Sequence, residues 1–254
     1  MSIPRAMGEV AYVDTEQMIE VDRAMVEDFH IDLIQMMENA GRNLAALARE
    51  LFLDGDPIGK RIAIMAGSGG NGGGALVAAR RLHNWGSDVR VLLGQAPEAM
   101  TGVPSHQLNI LRRMGVAGTE VPAEPGGIDM DFDLILDGLI GYSLKGAPYG
   151  MIADLIRWAN NCGSPLLSLD TPSGLDTTTG TVFEPAIRAA ATMTLALPKA
   201  GLHAPGVRAH VGELYLADIS VPPALYAQPT LALDVGPLFA EADIVRIRDA
   251  AFSD

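Results

Sequence analysis

The order of apolar and polar positions divides the chain into an N-terminal helical stretch and a long alternation of strands and helices. Asp14-Thr15-Glu16-Gln17 places a capping Asp three residues before a Gln and predicts a helix to about Asp28. Asp32-Leu33-Ile34-Gln35 repeats the device and opens a longer helix, in which Leu33, Met36, Met37, Ala40, Leu44, Leu47 and Leu51 recur at spacings of three and four. Its methionines read as core filler rather than a ligand box, and Gly41 on that face permits close packing. From Arg61 the period changes. Arg61-Ile62-Ala63-Ile64-Met65-Ala66 reads as a buried strand and Leu76 to Leu82 as a helix ending by Gly86; strand 88–93, helix 105–114, strand 132–139, helix 151–161 and strands 166–170, 191–197 and 212–218 follow. Runs such as Leu134-Ile135-Leu136 and Leu166-Leu167-Ser168-Leu169 are apolar on both faces, as in a parallel sheet covered by helices. The expected fold is α/β: a Rossmann-like three-layer α/β/α sandwich with a mostly parallel sheet and an N-terminal helical pair. A single domain is expected over 1–254, with helices in 1–60, a Rossmann-like core in 61–221 and an extension in 222–254, where Leu231 to Val235 reads as a further strand beside a short helix.

Composition narrows the class. With 48% hydrophobic and 5% aromatic residues in 254, one domain with an aliphatic core is expected. A net charge of -13 speaks against a nucleic-acid partner, whose binding draws on clustered cations. Residues 1–60 hold 12 acidic and 5 basic side chains and read as a helical layer or subunit surface rather than the site. Cys162 is the single cysteine, so neither an internal disulfide nor a multi-cysteine metal site is expected. No apolar leader follows Met1, and no run approaches the ~20 apolar residues of a membrane span, so a cytoplasmic protein without a membrane partner is expected.

The chemistry gathers behind the strands. Gly67-Ser68-Gly69-Gly70-Asn71-Gly72-Gly73-Gly74-Ala75 packs six glycines into nine residues between a strand and a helix, a loop whose backbone N–H groups suit a polar or anionic ligand. No Gly-Lys-Ser/Thr closes it, and the next strand ends in Gly94-Gln95 without the ribose-binding acid of a dinucleotide fold. Ligands of open parallel sheets bind beyond the carboxyl ends of the strands. There the chain carries Asn71, then Asp137 to Gly146 with Lys145, then Asp170-Thr171-Pro172-Ser173-Gly174-Leu175-Asp176, then Leu197 to His203 with Lys199. Asp170 suits a general acid/base with Lys145 setting its charge environment, and Asp137 equally suits a cation site with Asn71 and Ser173. Asp176 reads as an Asx turn, Ser173 as a turn residue rather than a nucleophile, and His203 as a loop histidine without an obvious partner. For Lys199 a solvated loop position weighs as much as a role.

Four ordered motifs together, the glycine-Asn-glycine loop, Leu136 to Gly146, Leu169 to Asp176 and Leu197 to Leu202, resemble the YjeF N-terminal family, the NAD(P)H-hydrate epimerases. The resemblance runs from Asp14 to Val221 and includes Met37-Glu38-Asn39-Ala40-Gly41 and Gly212 to Ile219. It implies a homodimer that interconverts the R and S forms of NADH or NADPH hydrated at C6 of the nicotinamide ring and frees the S form for a dehydratase. It implies a potassium ion among Asn71, Asp137 and Ser173. It also implies contacts from the hydrated cofactor to Gly70, Asn71, Gly72, Gly73 and Gly74, to Gly141, Tyr142, Ser143, Leu144, Lys145, Gly146 and Ala147, and to Asp170, with Asp170 and Lys145 as the catalytic pair. Because the chain ends at Asp254, the dehydratase is expected to be a separate protein. One departure leaves an alternative open: the family loop reads Gly-x-Gly-Asn-Asn-Gly-Gly-Asp-Gly, whereas Gly70, Gly74 and Ala75 replace its first Asn, its Asp and its last Gly. Without that amide and carboxylate, a catalytically silent nucleotide-binding or protein-interaction module is the alternative to an enzyme.

Overall fold

The computed structural model describes residues 3–6, 10–116, 118 and 131–247. Two capped helices come first, α1 (Thr15–Glu27) and α2 (Leu33–Phe52), each with the capping box that its Asp and Gln foretell. Then follow β1 (Arg61–Ala66), α3 (Gly70–Asn84), β2 (Asp88–Leu93), α4 (Gly102–Arg113), β3 (Leu134–Gly138), α5 (Gly150–Asn161), β4 (Leu166–Leu169), β5 (Ala191–Leu195), α6 (Arg208–Val211), β6 (Glu213–Ala217), α7 (Pro223–Tyr226) and β7 (Ile244–Arg246).

The strands form one seven-stranded sheet in the order β2-β1-β3-β4-β5-β6-β7. All pairs are parallel except β6 with β7. Side chains alternate across it. Ile62, Ile64 and Ala66 pack beneath α1 to α4, and Ala63 and Met65 pack against Leu155, Ile156, Trp158 and Ala159 of α5. The three-layer α/β/α sandwich is therefore as the apolar runs implied, and β2 lies on one side of β1 while β3 to β6 run off the other. That reversal at β1 is where an open sheet parts its crossovers and leaves a crevice.

The glycine stretch is less of a loop than its composition suggests, because α3 begins at Gly70 and contains Gly72, Gly73 and Gly74. The glycines serve close packing. A Cβ at Gly72 would stand 1.8 Å from the Gly67 carbonyl oxygen, and one at Gly41 would stand 2.4 Å from both the Gly74 carbonyl oxygen and Val77 Cβ. Helices α2 and α3 thus touch backbone to backbone, and Glu38 ties the same layer together by accepting from Arg80 of α3 at 2.6 Å and Gln107 of α4 at 3.0 Å. Gly41→Val is expected to cost about 1–3 kcal/mol by forcing the two helices apart, read as a lowered thermal midpoint.

The expected strand at Leu231 to Val235 does not form. Ala232 has φ of 50°, and the amides of Leu231 and Ala232 fold back onto the Gln228 carbonyl at 3.0 and 2.7 Å, which is turn geometry. The extension supplies the expected short helix as α7, and its strand is β7, which completes the sheet. Among the described residues no helix is long and apolar enough to cross a membrane.

Candidate active site

At the carboxyl ends of β1 and β3 lies a cleft of about 420 Å³, within the range of small-molecule sites. Its walls come from Ser68 to Asn71 after β1, Leu139 to Ser143 after β3, Asp170 after β4, Leu195 and Lys199 around the β5 exit, and Met18, Asp22, Leu33 and Met37 from α1 and α2. The N-terminal helices therefore roof the site, correcting their reading as a layer apart from it. A second cavity of about 360 Å³ beside α7 has Asp218 as its one ionisable carboxylate and no lysine, arginine or histidine, so the reactive groups gather in the first.

Asp170 and Lys199 are the centre of that gathering. Asp170 is 2% exposed and Lys199 fully buried. Lys199 Nζ donates to Asp170 Oδ1 in an ion pair, and also to the Leu195 carbonyl at 2.8 Å and Thr194 Oγ1 at 3.3 Å. All three ammonium hydrogens are thus used, which is what tolerates a lysine in the interior. The solvated-loop reading of Lys199 is overturned by its enclosure. Asp170 has φ of 67°, a left-handed backbone that Asp adopts more readily than most residues and that turns the chain sharply at the strand end. Its Oδ1 is held by Lys199 and by the Leu195 amide at 3.3 Å, while Oδ2 accepts no hydrogen bond among the described residues. One oxygen is anchored and the other remains open to a ligand.

Asp137 is fully buried one strand away. It accepts four hydrogen bonds, from Leu139 N (3.2 Å), Ser173 Oγ (2.6 Å), Ser173 N (2.9 Å) and Ser168 Oγ (2.9 Å). Burial pushes its carboxyl above the usual carboxylate range despite the hydrogen bonds from Ser173, Ser168 and Leu139. No cationic side chain pairs with it among the described residues. Asn71 donates its Nδ2 to the Leu169 carbonyl at 2.8 Å, which leaves its Oδ1 as an acceptor in the cleft wall. A Cβ at Gly141 would come within 2.8 Å of that carboxamide, so only glycine lets the β3 loop pass so close. Among the described residues no three His, Cys, Asp or Glu side chains gather as a metal site. Asp137 and Ser173 are joined by hydrogen bonds and, with Asn71, carry the oxygen donor types that a hard cation takes; a buried carboxyl without a cationic side chain beside it is the feature compatible with one.

Sequence reasoning missed Asp22. It projects from the second turn of α1, and Tyr142 Oη donates to its Oδ2 at 2.5 Å. Burial raises the Asp22 carboxyl above its ordinary range, with the Tyr142 hydrogen bond and the Lys199 charge opposing and the Asp170 charge adding. Burial, with Asp22 beside it, raises the Tyr142 phenol likewise. The single hint in the sequence was an acid on the inner face of an amphipathic helix, between Met18 and Met25.

The remaining candidates divide by position. Gly70 lines the cleft, whereas Gly72, Gly73 and Gly74 are buried within α3. A Cβ at Gly74 would meet Leu169 Cδ2 at 2.9 Å, Ala40 Cβ at 3.6 Å and Met37 Sδ at 3.7 Å; the missing acid of the family pattern thus falls against apolar side chains of α2 and β4. Gly141, Tyr142 and Ser143 line the cleft, whereas Leu144, Lys145, Gly146 and Ala147 lie outside its wall. Lys145 is exposed and Lys199 occupies the place beside Asp170 that the sequence suggested for Lys145. Asp176 forms the expected turn, accepting from Thr178 N at 3.1 Å and Thr179 N at 2.7 Å. The Ser173 hydroxyl is buried against Asp137, and the His203 ring lies 5.3 Å from that of Tyr12.

A parallel α/β sheet with a polar cleft at its crossover point, an anchored carboxylate and a glycine-opened helix N-terminus mark a candidate small-molecule site where ligands of open α/β sheets bind. The model of the family described as YjeF-related protein N-terminus matches residues 33–201, and the chain belongs to that family. It is 45% identical over 215 residues to a protein named NAD(P)H-hydrate epimerase from Dehalogenimonas lykanthroporepellens, covering 84% of each. It is 36% identical over 220 residues to the bifunctional NAD(P)H-hydrate repair enzyme Nnr of Moorella thermoacetica, covering 85% of this chain and 41% of that one. The crystal structure of yeast ynu0, YNL200c, superposes with a TM-score of 0.76 at 21% identity over 93% of this chain and all of that one, a likeness of fold.

Proposed function

We propose that the chain is an NAD(P)H-hydrate epimerase that interconverts the R and S forms of NADH or NADPH hydrated at C6 of the nicotinamide ring. The observation that carries this reading is the Asp170–Lys199 pair, set with one free carboxylate oxygen in the cleft of a chain 45% identical to a protein named for that activity. Epimerisation at C6 expels the hydroxyl with push from the ring nitrogen and adds water to the other face, which asks for a positioned acid/base in a water-controlled cleft. Asp170 Oδ2 serves that role, and Lys199 holds the carboxylate in place. The first amides of α3 precede the Gly73 N to Gly69 O bond and have no helical partner, so they receive the phosphates or the ring carboxamide. Lys145, exposed in the loop after β3, is left to reach the ligand's phosphates. The Gly74 position, turned toward α2, removes no group from the cleft and weighs against the silent-module alternative.

Asn71, Asp137 and Ser173 are the residues that would hold a potassium ion, which would supply countercharge to Asp137. Since burial raises the Asp137 carboxyl, its charge costs stability as pH rises above the ordinary carboxylate range, and a bound cation offsets that cost. Potassium is therefore expected to raise the thermal midpoint more at pH 8 than at pH 5. Asp137→Asn should remove both the effect and any potassium dependence of turnover, whereas an equal effect in the variant would remove the ion from this place. A homodimer is part of the same reading, with Ile19 and Val26 exposed a heptad apart on α1 as apolar surface for a second copy, and a dehydratase consuming the S form. The central test is chromatographic: purified protein added to the R hydrate should bring the epimers to equilibrium faster than buffer alone. Nucleotide binding without acceleration would identify a silent module.

A further inference from the structure

We propose that Asp22 is a second catalytic acid/base, serving the face of the nicotinamide ring that Asp170 does not reach. The inference rests on the epimerase reading and deepens it. In the first half of the reaction the C6–O bond breaks, the departing hydroxyl takes a proton from a carboxylic acid and leaves as water, and the nitrogen lone pair moves into the N1–C6 bond. In the second half a water attacks C6 from the opposite side and gives its surplus proton to a carboxylate, while the N1–C6 pair returns to nitrogen. One water leaves, one enters, and one proton passes from the first carboxyl to the second. Departure and addition occur on opposite faces, so a single fixed side chain serves one of them.

The titratable groups lining the cleft among the described residues are Asp22, Tyr142, Asp170 and Lys199. Lys199 is enclosed and uses its hydrogens on Asp170, Leu195 and Thr194. Tyr142 spends its hydroxyl on Asp22 Oδ2, and burial makes the phenol a weaker acid than usual. Asp22 remains, with Oδ1 accepting no hydrogen bond among the described residues. The two carboxyls come from different walls, α1 and the β4 exit, and differ in charge environment. Asp170 stands in an ion pair, whereas Asp22 has no cation bonded to it, and Arg23 beside it turns outward to Glu20, Glu27 and Asp28. The groups facing Asp22 are Tyr142 from the β3 loop and Asp170 and Lys199 from the β4 and β5 exits. With no cation bonded to it and its carboxyl raised by burial, Asp22 is assigned the proton for the departing hydroxyl, and Asp170, held by Lys199, receives one; the roles reverse for the other epimer.

Asp22→Asn is the test, since it keeps an acceptor for Tyr142. Inversion is expected to fall about 10²–10⁴-fold in kcat/KM in both directions, with KM little changed. In ¹⁸O-labelled water the variant should still exchange the C6 oxygen of one epimer without inverting it, because Asp170 can protonate and deprotonate on its own face. A carboxyl raised in the folded state is stabilising below the unfolded value and loses that contribution as pH rises, so the variant should melt no lower than the native protein at neutral pH. Undiminished inversion, or loss of oxygen exchange and inversion together with a lowered melting point, would overturn the proposal. Failure of the native protein to epimerise would instead remove the underlying reading.

Discussion

Asp170→Asn is expected to abolish equilibration of the two hydrate epimers, with a loss of about 10²–10⁴-fold in kcat/KM. Asparagine keeps the size and one acceptor oxygen but neither takes nor gives the proton that departure and addition of water require. The substitution also strands the Lys199 ammonium, which is fully buried, so part of the loss could reflect a damaged fold. The double variant Asp170→Asn with Lys199→Met separates the two effects. Removing both charges leaves no unpaired ion, and replacement of a buried pair by apolar groups is often near neutral in stability. A double variant that folds with a near-native melting point and has no turnover assigns the loss to chemistry. Turnover at the native rate in either variant would remove Asp170 from the reaction.

Lys199→Met alone is expected to be the most destabilising single change at the site. It leaves the Asp170 carboxylate 2% exposed with its ammonium partner gone and only the Leu195 amide and Thr194 hydroxyl, at 3.3 and 3.4 Å, still near Oδ1. Breaking a buried ion pair from one side costs about 3–5 kcal/mol, which corresponds to a fall in melting temperature on the order of 10 °C for a domain of this size. Lys145→Ala is the contrasting case. On the proposal that this exposed loop lysine meets only the ligand's phosphates, it contributes equally to ground and transition states, so KM should rise while kcat and melting temperature hold. If the two phenotypes were exchanged, the assignment of the lysines would be wrong.

The lysines show where reading the chain fell short. Lys145 and Lys199 occupy similar loops of glycine, proline and leucine behind strands, and nothing local distinguishes them. Lys199 goes inward because Leu195 O, Thr194 Oγ1 and Asp170 Oδ1 converge on one point, and that convergence depends on the pairing of β4 with β5. Asp22 was passed over for the same reason. On α1 it is one acid among many in an acidic stretch, and it becomes part of the site only where α1 meets the loop carrying Tyr142. The Leu231 to Val235 segment erred the other way: its apolar alternation suits a strand, but the turn onto Gln228 consumes its amides.

By itself the sequence determined the layers, the parallel sheet and the strand exits where the polar residues stand, because the burial period and the capping signals are written in neighbouring residues. It also determined the family, through four motifs in order. Only the tertiary structure decided which lysine pairs with Asp170, that the N-terminal helices roof the cleft, and that a side chain at Gly74 would meet α2 and Leu169. Those outcomes are set by contacts between residues far apart in the chain, whose distances no local pattern encodes. The desolvation that raises the Asp22 and Asp137 carboxyls exists only after the layers close over them.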